Sequence, residues 1–267
     1  MHRKLDRDFI AHFKKGGKYD MLLSAIKEDP DLSVEIRINS EIKVYYTKGL
    51  VLTLSKKGET LLSDGYCRDI VKPVLDLNAP EEYLDMAKGL IRKHSRKVEF
   101  TIQQKIAASN QSSDNEYFVV DMEWQYPQSD IPEEDRLNKS RIDIVAIERS
   151  TNDIVLFELK QGTGALFGGS GVDGHYLKSA LLMQNRDFCL HLEQDVRNIL
   201  SDKVELGLID YSVPNKFGKI KQMFIFAYER VSAREVYEKD FADALEKLGV
   251  STIYIDTRDN DYGLQRK

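Results

Sequence analysis

The chain has 267 residues, 42% of them apolar and 31% charged, with a formal net charge of −5. That balance describes a globular protein, one large domain or a medium domain with a smaller one, able to bury a sizeable core. It excludes a membrane-embedded chain, because no apolar run approaches the roughly 18–20 residues of a spanning helix, and its acidic total gives no global pull toward nucleic acid.

The opening stretch, MHRKLDRDFIAHFKKGGKYD, has basic residues but no continuous apolar segment, so no secretion signal is expected. Cys67 and Cys189 lie far apart and read as two reduced thiols of a cytoplasmic protein. Residues 5–28 carry helical spacing, broken at Gly16–Gly17 and ended by Asp29–Pro30. In VEIRINSEIKVYYTKGLVLTLS, the apolar residues Val34, Ile36, Ile38 and then Ile42, Val44, Tyr46 alternate with polar ones. Asn39–Ser40 and Lys48–Gly49 are turn dipeptides. The pattern predicts three antiparallel strands with one buried face, within a small α+β domain over residues 1–78.

Asn78–Ala79–Pro80 begins the second part, 79–267, with Pro80, Glu81 and Glu82 suited to a first helical turn. One long helix or two follow. EYFVVDMEWQYP reads as a strand, and PQSDIPEEDRLNKS as a polar loop. RIDIVAIER and DIVLFELK read as two strands joined by the turn STN. A glycine-rich loop (162–174), an amphipathic helix from His175, a strand KQMFIFAYE, a helix and a last strand STIYID complete the chain. This order predicts a mixed sheet with helices on its faces, an α+β fold overall.

Within that sheet, Ile154, Leu156, Glu158 and Lys160 share one face of their strand, and Arg141, Asp143, Val145 and Ile147 share one face of theirs. If the two strands form a hairpin, Asp143 comes near Glu158. Two carboxylates and a lysine at the end of an apolar sheet are costly in isolation. A divalent cation reverses that cost, since carboxylate oxygens are the ligands Mg²⁺ and Mn²⁺ prefer. The Leu159 carbonyl is a further oxygen, and Lys160 is placed as a donor beside a metal-bound water. The competing reading is a salt-bridged Glu158–Lys160 pair at a solvated strand end.

The run Arg141-Ile142-Asp143 followed by Glu158-Leu159-Lys160 resembles the PD-(D/E)xK nuclease superfamily, with Ile142 where the strict pattern has proline. The resemblance covers roughly residues 95–230 and implies a restriction-endonuclease-like αβββαβ core. It implies a Mg²⁺- or Mn²⁺-dependent nuclease, DNA being the expected substrate over RNA, in restriction, repair, recombination or mobile-element settings. Asp143, Glu158 and Lys160 would be catalytic. Asp143, Glu158, the Leu159 carbonyl and, by its place on the preceding helix, Glu99 would hold metal, with Gln103 a lesser candidate. Arg141, Tyr176 and Lys178 would contact nucleic acid. The resemblance also brings a homodimer into view and, as an alternative, a catalytically inactive module of the same fold that binds nucleic acid or a protein.

Other features point less far. The loop GTGALFGGSGVDG lacks the Gly-Lys-Ser/Thr of a phosphate-binding loop and reads either as a loop closing over substrate or as a connector. RKHSRK (92–97) is the densest basic cluster. His94, His175 and His191 show no metal-ligand spacing. Trp124 and Tyr126 read as sheet packing, and one of Asp121 and Glu123 is a further acid for the site.

Overall fold

The computed structural model of the chain describes residues 1–47, 49–67, 70–94, 98–126, 141–168 and 171–265. The fold is mixed α+β, with two separate sheets. Contacts divide it into two compact units, residues 1–104 with 197–213, and residues 105–196 with 214–267.

The first unit begins with α1 (Arg7–Ala11) and α2 (Asp20–Glu28). Its sheet is an antiparallel meander of β1 (Leu32–Arg37), β2 (Glu41–Tyr46), β3 (Gly49–Ser55) and β4 (Gly58–Thr60), in that spatial order. The turn expected at Asn39–Ser40 is present, and both residues take left-handed dihedrals (φ 62° and 58°), which asparagine tolerates better than bulky residues do. Ile42, Val44 and Tyr46 are buried, as their alternation requires. The sheet has one strand more than expected, because β4 is only three residues long and carries no alternation to read. Lys48 lies outside the described residues.

Helix α3 (Pro80–His94) also belongs to this unit. Its buried residues Tyr83, Leu84, Ala87 and Ile91 recur at helical spacing. The Tyr83 hydroxyl accepts a hydrogen bond from the Leu62 N–H and donates one to the Val51 carbonyl, both at 2.8 Å. Burial pushes its pKa up to about 12. The compact units therefore divide the chain elsewhere than at residue 78. Where one or two helices were open, there are two, α3 and α4 (Val98–Ser109). Of the basic cluster at 92–97, Arg92, Lys93 and His94 form the last turn of α3, and 95–97 lie outside the described residues.

The second unit is built on a five-stranded sheet, β5 (Tyr117–Gln125), β6 (Arg141–Glu148), β7 (Asp153–Gln161), β8 (Ile220–Tyr228) and β9 (Thr252–Asp256), adjacent in that order. β5, β6 and β7 are antiparallel; β7, β8 and β9 run parallel. β7 is thus the central strand, and its residues from Ile154 to Lys160 are all buried, which explains the near-continuous apolar run. The polar loop expected after β5 (127–140) lies outside the described residues.

Helix α5 (Val172–Gln184) and helix α6 (Arg186–Glu205) replace the single helix expected. The break is at Asn185, whose side-chain oxygen accepts from the N–H groups of Asp187 and Phe188 and so caps α6. Val172 of α5 packs with Phe224 and Phe226 of β8 and with Tyr237, Phe241 and Leu245 from the helical run α7 (Val231–Tyr237), a π-helical stretch (Glu238–Ala242) and α8 (Asp243–Lys247). Trp124 of β5 packs edge-on against Phe188 of α6 and donates its Nε1–H to Asp195 at 3.0 Å, so the packing role expected for it holds. None of the described helices is long and apolar enough to cross a membrane. Cys67 and Cys189 are both free thiols.

Candidate metal centre

The site is set by strand register. β6 pairs with β7 through Val145↔Leu156 and Ile144↔Phe157. One further step puts Asp143 opposite Glu158. There the ladder ends, and the Asp143 carboxylate takes the place of a backbone acceptor: the Leu159 N–H donates to its Oδ2 at 2.8 Å. Directly opposed residues project to the same side, so Asp143, Glu158 and, two residues on, Lys160 share one face. The hairpin on which this register depends closes at Glu148↔Asp153. There Asn152 adopts φ 57° and Thr151 donates to Glu148 Oε2 at 2.6 Å. Burial raises the Asp153 pKa, but the Lys219 N–H and the Lys221 ammonium outweigh it and hold the carboxyl below its ordinary value.

β5 brings a further acid. Asp121 lies opposite Val145, on the face that carries Asp143, and is fully buried. Glu123 departs from the strand conformation (φ 55°) and pairs with Arg141 at 2.6 Å. Of the two acids, Asp121 is the one buried on that face. Its position depends on a one-residue bulge between Val119 and Asp121, which single-sequence alternation does not reveal.

Glu158, Lys160 and Asp143 are each only 5% exposed. The expectation of a solvated strand-end pair therefore does not hold; the pair is buried. Lys160 Nζ donates to Glu158 Oε1 at 2.9 Å. His175, in the first turn of α5, places Nδ1 2.6 Å from the same oxygen. Both contacts fall on Oε1, and Glu158 Oε2 has no partner among the described residues. Gln222 of β8 lies beside Leu156 in the parallel ladder, hence on the face of Glu158. Its Nε2 approaches the His175 carbonyl at 3.4 Å, and its buried Oε1 has no partner among the described residues.

The chain enters and leaves this site through glycine. Gly162 follows β7 with φ 62° and ψ −179°, a conformation essentially restricted to glycine. At Gly171, just before α5, a side chain would meet the Leu166 carbonyl at 2.4 Å. Leu166 is buried in the cluster around Phe224, so the described part of the glycine-rich loop is anchored to the core; residues 169–170 lie outside the described residues.

The other expected residues are placed as follows. Arg141 is exposed at the start of β6, on Glu123. Tyr176 packs partly buried against the Phe224 cluster, and Lys178 is half-buried one turn along α5. Glu99 is exposed in the first turn of α4. It and the buried Gln103 fall in the first unit, whereas Asp143 and Glu158 fall in the second.

The donor set fits a hard divalent cation. Among the described residues, three buried carboxylates, Asp121, Asp143 and Glu158, share one sheet face with the Lys160 ammonium. Carboxylate oxygens suit Mg²⁺ or Mn²⁺. Among the described residues, neither Asp121, Asp143 and Glu158 nor Asp143, Glu158 and His175 bring three side-chain ligand atoms within 4.8 Å of one another, so Asp143 and Glu158 with the Leu159 carbonyl are the residues that would hold an ion. The chain matches no family model, no curated protein and no solved structure.

Proposed function

We propose that this protein is a divalent-cation-dependent nuclease that hydrolyses phosphodiester bonds, with DNA as substrate. The observation that carries this reading is the pair of buried carboxylates, Asp143 and Glu158, that β6 and β7 bring to one sheet face beside the buried Lys160. Carboxylate oxygens gathered in this way are the ligands that Mg²⁺ and Mn²⁺ prefer. Asp143, Glu158 and the Leu159 carbonyl would hold Mg²⁺ or Mn²⁺, which when bound supplies an activated water and neutralises phosphoryl charge. Asp143 is held for this by the Leu159 N–H. Lys160, tethered by Glu158 Oε1, would donate toward the negative charge that builds on the phosphate oxygens. Lys178 and Arg141 would contact the phosphate backbone. The preference for DNA and the setting in restriction, repair or recombination rest on the PD-(D/E)xK resemblance of Asp143, Glu158 and Lys160.

The test is cleavage of plasmid DNA and of single-stranded RNA with Mn²⁺, by wild type, Asp143→Ala and Glu158→Gln. Wild-type cleavage of DNA that both variants lose supports the reading. Cleavage that survives Asp143→Ala ends it. The double bonding of Glu158 Oε1 by Lys160 and His175 favours a second reading, an inactive module of this fold whose charges pair with one another. Binding of DNA by wild type without cleavage, at any divalent cation tried, selects that reading.

A further inference from the structure

We infer that His175 is a positioning residue of the cation site, which anchors Glu158 by one oxygen so that the other faces the ion. The inference rests on the metal-dependent reading of that site. A glutamate side chain has three rotatable torsions, and a metal ligand must be held to within about 0.5 Å. Lys160 alone reaches Glu158 along one strand. His175 reaches the same oxygen from a different element, α5, with Nδ1 at 2.6 Å. Two donors on Oε1 from separate elements fix the carboxylate plane, and Oε2 is left without a partner among the described residues. A contact on Oε1 orients the carboxylate while leaving Oε2 to face the cation.

The histidine is in turn held. The Gln222 Nε2 lies 3.4 Å from the His175 carbonyl, which steadies the turn of α5 that carries the ring. The buried Gln222 Oε1 has no partner among the described residues. Buried polar groups in folded proteins are nearly always satisfied. This acceptor, on the Glu158 face, is thus placed to take a hydrogen bond from a group outside the described residues, such as a water.

The experiment is calorimetric titration of Mn²⁺ into the full chain, wild type against His175→Ala, His175→Asn and Glu158→Gln. His175→Ala is expected to bind Mn²⁺ about 10–100-fold more weakly. His175→Asn, whose Nδ2 can occupy the place of Nδ1, is expected to recover most of that affinity, a rescue that general packing loss at this position does not produce. Circular dichroism and urea midpoints of the variants separate a folding defect from a binding defect. If Glu158→Gln loses Mn²⁺ and His175→Ala binds it as tightly as wild type, the positioning role is overturned and the metal site stands. If neither wild type nor any variant binds Mn²⁺, the metal-dependent reading falls and this inference with it.

Discussion

Each unit buries a glutamate on a strand, and in each a lysine meets it. In the first unit Glu35 lies on the edge strand β1 and accepts from Lys203 Nζ at 3.2 Å, with Arg37 at 4.0 Å. In the second, Glu158 lies on the central strand β7 and meets Lys160 and His175. The contacts look alike, but the surrounding charge does not. Beside Glu35 the named charges are one acid and two bases, a pairing that suffices for itself. On the Glu158 face the acids among the described residues are three, Asp121, Asp143 and Glu158, beside Lys160 and His175. A charge pair that serves the fold is balanced where it stands. A face that gathers several carboxylates at the centre of a sheet is, under the proposed function, where a cation would bind.

The contrast can be broken in several ways. The largest effect is expected at the second site: Lys160→Ala should lower Mn²⁺-dependent cleavage by about 10²–10³-fold, the scale of removing one preorganised donor from a transition state, as read from single-turnover rates. Of comparable size in free energy is Glu35→Gln, which removes the carboxylate charge that the buried Lys203 meets. Breaking a buried pair from one side costs about 3–5 kcal/mol, so its urea midpoint should fall sharply; an unchanged midpoint would remove the contrast between the two glutamates. Gly162→Ala should cost about 1–3 kcal/mol, since an alanine there would hold a glycine-only conformation, and it should weaken Mn²⁺ binding along with stability because the residue follows directly on the Glu158–Lys160 strand.

A smaller effect, confined to the first unit, is expected at Tyr83. Its phenol is neutral in the fold, and burial raises its pKa from 10 to about 12. The folded state therefore binds this proton more tightly than the unfolded state does. The corresponding stability is fully present below pH 10 and is lost as pH rises through about 12. Tyr83→Phe leaves the Leu62 N–H and the Val51 carbonyl without their partner, costing about 1–3 kcal/mol. The variant should also lose less stability than wild type between pH 10 and 12, as measured by urea unfolding across that range.

Much of this was readable from the chain, because alternation and apolar runs report burial directly. VEIR and EIKVYY announce β1 and β2, and DIVLFELK announces a central strand by being apolar on both faces. Asp143 and Glu158 could be brought together because a tight turn fixes hairpin register, so two positions in the sequence become one place in the sheet. What was hidden depends on contacts that sequence spacing does not encode. β4 is too short to show a period. Asn185 breaks a helix by capping the next one with its side chain, and Asn-Arg-Asp was a signal available for that. His175 belongs to the site through a contact to Glu158 across a loop, although its spacing to the other histidines suggests nothing. Asp121 reaches the site face through a bulge.

The most direct test of the central claim is thermal unfolding of wild type and Asp143→Asn, each with and without Mn²⁺. If the second face keeps its charges for a ligand, removing the Asp143 charge costs less than about 1 kcal/mol, or stabilises the metal-free protein, as relief of a functional site commonly does. Mn²⁺ at about 100 times its Kd should then raise the wild-type Tm by about 5 °C or more, corresponding to about 2.7 kcal/mol of linkage, and leave the variant unmoved. A variant destabilised as strongly as Glu35→Gln, with Mn²⁺ shifting neither protein, would show that the Asp143–Glu158 face serves the fold alone and would contradict the account.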